Sequence, residues 1–102
     1  MGKKLPSHYE RVAKRYPKLI SAVEALGEEL GKVGPLDKKT CELVKLGISV
    51  GTGLEGAVHS HTRRALQAGA GPDEIRHAVL LALTTAGFPR MMAALSWAYD
   101  VL

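Results

Sequence analysis

The sequence predicts an all-α fold: one domain over residues 1–102, built as a small bundle of five to six helices. Three observations predict it. Apolar residues make up 46% of the chain but aromatic residues only 5%, so Ala and Leu dominate, a bias that suits close-packed helices better than a sheet. No segment alternates apolar and polar residues with period two over strand length. Glycine and proline breaks divide the chain into pieces of helical length, several with recognisable caps.

Ser7-His8-Tyr9-Glu10 has the form of a capping box, with Ser7 as N-cap and Glu10 at the third helical position. A short helix is expected near residues 8–15. Pro17 lacks a backbone donor and disfavours a helical Tyr16, so a second helix starts at Pro17 and runs to about Lys32. Leu19, Ile20, Val23, Leu26 and Leu30 form its apolar stripe, and Gly31 and Gly34-Pro35 end it. Asp37 is a good N-cap for a helix over about 38–51. Gly51-Thr52-Gly53 breaks the chain before a helix from about Leu54 to Ala68, closed by Gly69-Ala70-Gly71. Pro72 then suits the first position of a helix to about Ala86, with Asp73 and Glu74 near the positive end of its dipole. That segment is apolar on most sides and is expected to be buried, between subunits. Gly87-Phe88-Pro89 precedes a last helix ending at Leu102, whose Met91, Met92, Leu95, Trp97 and Val101 are core or interface filling. Gly47, inside a helix, suggests a close helix–helix approach or a bend.

The formal charge is +4 and there is one cysteine, Cys41. A lone cysteine excludes an intrachain disulfide framework, and a reducing cytoplasm is the expected compartment. The N-terminus has no apolar core of signal-peptide length, and no apolar run is long enough to span a bilayer. The basic first segment (Lys3, Lys4, Arg11, Lys14, Arg15, Lys18) lacks interleaved aromatic residues and any reader motif, so it reads as a solvated face and nucleic acid is not an expected partner. His59 and His61 are two residues apart and diverge on a helix, so no metal site is expected from them.

The centre of the chain carries the chemical signal. Leu36-Asp37-Lys38-Lys39-Thr40-Cys41-Glu42-Leu43 is followed, twelve residues after Glu42, by Leu54-Glu55-Gly56-Ala57-Val58-His59-Ser60-His61, and then by a glycine-rich turn into Pro72-Asp73-Glu74-Ile75. Over residues 36–102 this resembles the carboxymuconolactone decarboxylase and alkylhydroperoxidase D-like family, whose pattern has Cys-x-x-Cys-x-x-x-His at that distance from a glutamate. Glu42 and His61 match the glutamate and the histidine. Leu54 and Ala57 stand where the two cysteines belong.

The resemblance implies an alkylhydroperoxidase D-like bundle that assembles through its central helices as a homotrimer or homohexamer. It also offers two activities. Peroxide reduction needs a thiolate to attack and a second thiol to resolve the sulfenic acid, and Leu54 and Ala57 supply neither, so the peroxidase reading is disfavoured. The decarboxylase branch needs no cysteines and no cofactor. It implies a lyase in which Glu42 and His61 act as an acid–base pair on a small carboxylated or lactone substrate, with His59, Arg63 and Arg64 as substrate-binding residues.

Each of these residues has a plainer reading. Glu42 recurs with Lys38, Lys45 and Ser49 at helical spacing, which also describes a solvated face with ion pairs. His61 falls in register with Leu54, Ala57, Val58 and Ala65, as a hydrogen-bonded core histidine would. Arg63 and Arg64 suit an exposed helix shoulder. A non-catalytic oligomeric scaffold or ligand-binding protein is therefore the alternative to an enzyme.

Overall fold

Asp37 begins the part of the chain that holds the core. Its carboxylate accepts a hydrogen bond from the Thr40 backbone N–H at 2.8 Å, which caps a helix over Lys38–Thr52. In the computed structural model, which describes residues 7–102, the helices are α1 (Ser7–Arg15), α2 (Pro17–Leu30), α3 (Lys38–Thr52), α4 (Glu55–Gln67), α5 (Pro72–Leu80) and α6 (Phe88–Tyr99). A 3₁₀ turn at Leu81–Thr84 follows α5, and no strand occurs among the described residues. The fold is all-α.

The chain divides into two compact units, residues 1–36 and residues 37–102. The first is the α1–α2 pair; Lys3 and Lys4 of the basic segment lie outside the described residues. Pro17 starts α2 at its first turn, as its missing N–H allows. The Tyr9 hydroxyl donates a hydrogen bond to the Glu24 carboxylate between the two helices. The apolar stripe of α2 is the predicted one, yet Leu19, Val23, Leu26 and Leu30 are all exposed.

The second unit packs α3, α4, α5 and α6 around one core. Leu46 and Val50 of α3, Val58 and Ala65 of α4, Ile75 and Val79 of α5, and Ala94 and Ala98 of α6 are fully buried. Gly53 ends α3 in the left-handed region, φ +71°, where its N–H bonds the Ser49 carbonyl at 3.0 Å. Leu54 is extended, and α4 begins at the next residue. This short connection folds α3 and α4 into a helical hairpin.

Three expectations need correction. The helix after Pro72 is shorter than expected: α5 stops at Leu80 and gives way to the 3₁₀ turn, and Leu80, Leu81 and Leu83 are exposed on the single chain. In a chain of 102 residues, the core is too small to cover every apolar side of that segment. Gly47 meets no neighbouring helix, since a Cβ placed there would find nothing within 4 Å. Instead it lines an open groove of about 630 Å³ with Val44, Ile48, Ala78, Leu81 and Thr85. The last helix ends at Tyr99 rather than Leu102, with Asp100 at its C-cap.

Candidate active site

The α3–α4 hairpin brings Glu42 and His61 together. Glu42 is eleven residues before Gly53 and His61 eight after it, roughly 16 and 12 Å along the two helices, a difference that two long side chains can span. Nδ1 of His61 lies 2.8 Å from Oε1 of Glu42. A carboxylate can only accept, so the Nδ1–H donates, and the neutral ring then carries its lone pair on Nε2. Glu42 is 7% exposed, and His61 is half-buried.

This burial is at odds with the solvated-face reading of Glu42. The face read as solvated runs along the edge of the core: Lys38 is exposed and Lys45 half-buried, while Glu42 and Ser49 turn inward. Glu42 and Ser49 are buried there with Leu46 and Val50. Ser49 satisfies its hydroxyl by donating to the Lys45 carbonyl at 2.8 Å. Glu42 is paired with His61 rather than with a lysine. His61 is an edge residue of the core whose imidazole is oriented by a carboxylate.

Of the two positions where the sequence resemblance led us to expect cysteines, Leu54 is exposed at the N-cap of α4 and Ala57 is half-buried one turn before His61. Cys41 is half-buried beside Glu42 on α3. The three other residues expected at the site distribute differently. Arg64 is exposed in the last turn of α4, three residues beyond His61 and hence on an adjoining face. Arg63 is half-buried and, at two residues beyond His61, turned away from it. His59 also diverges from His61: its Nε2 lies 2.9 Å from Oδ2 of Asp100, across from α6. The partner Asp100 carried no sequence signal, because its proximity to His59 arises only from α4 packing on α6.

A further ion pair braces the unit. Glu74, at the start of α5, accepts the Gly71 N–H at 2.9 Å and pairs with Lys39 of α3 at 3.1 Å. The Gly71 hydrogen bond and then the lysine hold the Glu74 carboxyl below the usual carboxylate range. Asp37 is lowered in the same sense by its hydrogen bonds with Thr40.

The profile of the carboxymuconolactone decarboxylase family matches residues 17–100. The chain belongs to the carboxymuconolactone decarboxylase family. The match reaches back through α2, beyond the stretch in which the resemblance is readable by eye. An uncharacterised protein of Methanocaldococcus jannaschii is 32% identical over 90% of this chain and 86% of its own length. An uncharacterised protein of Haemophilus influenzae is 35% identical over 56% of this chain, and the matched region spans 50% of that relative. Among solved structures, a carboxymuconolactone decarboxylase family protein from Legionella pneumophila, crystallised in its apo form, superposes with a TM-score of 0.75 at 25% identity, covering 93% of this chain and 84% of that one. Among the described residues no helix is long and apolar enough to cross a membrane.

Proposed function

We propose that this carboxymuconolactone decarboxylase family member catalyses cofactor-free acid–base chemistry, decarboxylation or a related step, on a small carboxylated or lactone substrate. The observation that carries the reading is the 2.8 Å bond between a buried Glu42 and His61. Glu42 fixes the imidazole in one tautomer and one orientation, with Nε2 left free to face a substrate. When the substrate carboxylate leaves as carbon dioxide, the bonding electron pair stays behind as an enolate. Protonated His61 then delivers a proton from Nε2 to the enolate carbon, and solvent reprotonates the ring. Arg64, on the adjoining face, suits a carboxylate-holding role better than Arg63. Leucine and alanine at positions 54 and 57 support a lyase over a peroxidase, because neither supplies a thiolate.

A second reading is a non-catalytic oligomer, favoured by the groove at Val44, Gly47, Ile48 and Leu81. The groove is largely apolar and Glu42 and His61 do not line it. Val44, Ile48 and Leu81 are exposed there, a pattern typical of surfaces that another copy covers. Self-association as a trimer or hexamer belongs to both readings, and light scattering across a dilution series tests it.

The discriminating experiment follows carbon dioxide release from carboxylated lactones and β-keto acids. The enzyme reading expects turnover that drops about 10²-fold or more in Glu42→Gln and His61→Gln, both still helical by circular dichroism. Full turnover in both variants overturns it. Absence of turnover with every substrate, together with a stable oligomer, selects the scaffold.

A further inference from the structure

We propose that Glu55, His59 and Asp100 form a binding site for a divalent first-row transition-metal ion, separate from the Glu42–His61 pair. Glu55 and His59 are four residues apart on α4 and share one face. Asp100 arrives from the C-cap of α6. One ligand atom from each of the three lies within 4.8 Å of the other two; the 2.9 Å hydrogen bond between His59 Nε2 and Asp100 Oδ2 gives way on binding, the ring proton moving to Nδ1 so that Nε2 offers its lone pair. Donors on a common ion at bond lengths near 2.0–2.2 Å are separated by roughly 3–4.3 Å. The exposed Glu55 side chain closes the remaining gap by rotation.

Two features of the cluster call for a cation. Among the described residues, neither carboxylate forms an ion pair with lysine or arginine, so two negative charges converge on one imidazole. In addition, Asp100 occupies the C-terminal end of α6, where the helix dipole disfavours a negative charge. A divalent ion there relieves both. The imidazole donor selects a transition metal over magnesium or calcium, which take oxygen ligands. Three protein ligands on an exposed rim leave further coordination positions to water. The two histidines of α4 are thus divided: His61 faces Glu42, and His59 faces the metal cluster.

The test is calorimetric titration of the untagged, chelator-treated full chain with zinc chloride, and separately with magnesium chloride, alongside line broadening by manganese(II) in NMR spectra. The expected result is one zinc ion per chain, weakened at least tenfold in Glu55→Gln and in Asp100→Asn, with manganese broadening centred on residues 55, 59 and 100. His77→Asn should bind as the parent does. Both acidic residues are exposed, so their variants keep the fold and carry the test even if His59→Ala does not. The proposal is overturned by no zinc binding at millimolar concentration, by equal binding in the two acid variants, by broadening centred elsewhere, or by magnesium binding as tightly as zinc.

Discussion

Glu42 and His61 are hydrogen-bonded at 2.8 Å across the α3–α4 interface, with the carboxylate on the buried side and the imidazole nearer solvent. This order matters for stability as well as for chemistry. Removing the histidine leaves a buried carboxylate without a partner. His61→Ala is expected to cost about 1–3 kcal/mol, and adding Glu42→Leu should recover part of the loss, because nothing charged then remains to be desolvated. Urea denaturation of the two single variants and the double variant measures the coupling; strictly additive losses would show that the pair has none.

Thr62 is the next residue on α4 and faces the core. It is fully buried, and its hydroxyl has no hydrogen-bond partner. Thr62→Val keeps the shape and removes the unsatisfied group. It should raise stability by about 1 kcal/mol, seen as a higher urea midpoint with an unchanged slope.

Gly53 carries the α3–α4 turn at φ +71°, with the Arg90 guanidinium lying against it where a Cβ would stand. Gly53→Ala is therefore strained in the backbone and displaces Arg90. The arginine tip is flexible and gives way, so the backbone term dominates, and a loss of about 1–2 kcal/mol is expected. Arg90→Ala in the same chain should restore only a minor part of the thermal midpoint. Full restoration would reverse the order of the two effects.

The acid limb of stability should depend on Asp37 and Glu74. Hydrogen bonds from the side chain and backbone of Thr40 hold the Asp37 carboxyl below its ordinary range, and the Gly71 N–H holds Glu74 there, with Lys39 adding to both. A depressed folded-state value means that each contributes stability above the ordinary carboxylate range, roughly above pH 5, and loses it as the pH falls through the folded value. Asp37→Ser keeps a capping oxygen but does not titrate, and Glu74→Gln also does not titrate. Midpoints measured from pH 7 to pH 2 should fall less steeply in the double variant than in the parent; parallel curves would remove these two groups from the acid limb.

The helices were legible because their signals are local. Asp37, Pro17, Pro72 and Gly53 act on their own backbone, so the starts of α2, α3 and α5 and the α3–α4 turn fall at or within two residues of their expected places. The apolar stripe of α2 was equally plain, but periodicity records a stripe without recording whether anything covers it. The same limit applies to the apolar segment after Pro72, whose leucines are exposed on the single chain around a 3₁₀ turn.

For the site, the sequence by itself determined the residue types and the spacing of Glu42 and His61, and with them the family and the missing thiols. It left open which face of α3 is turned inward, because the lysines flanking Glu42 describe a solvated face as well as they describe the edge of a buried one. Only the tertiary structure decided that. Packing α4 against α3 desolvates Glu42, turns Ser49 inward with it and supplies His61 as the partner that a buried carboxylate requires. Packing α6 on α4 likewise brought Asp100 to His59, 41 residues apart in the chain. No local pattern encodes that meeting, since it depends on where two helices cross and not on what either one is.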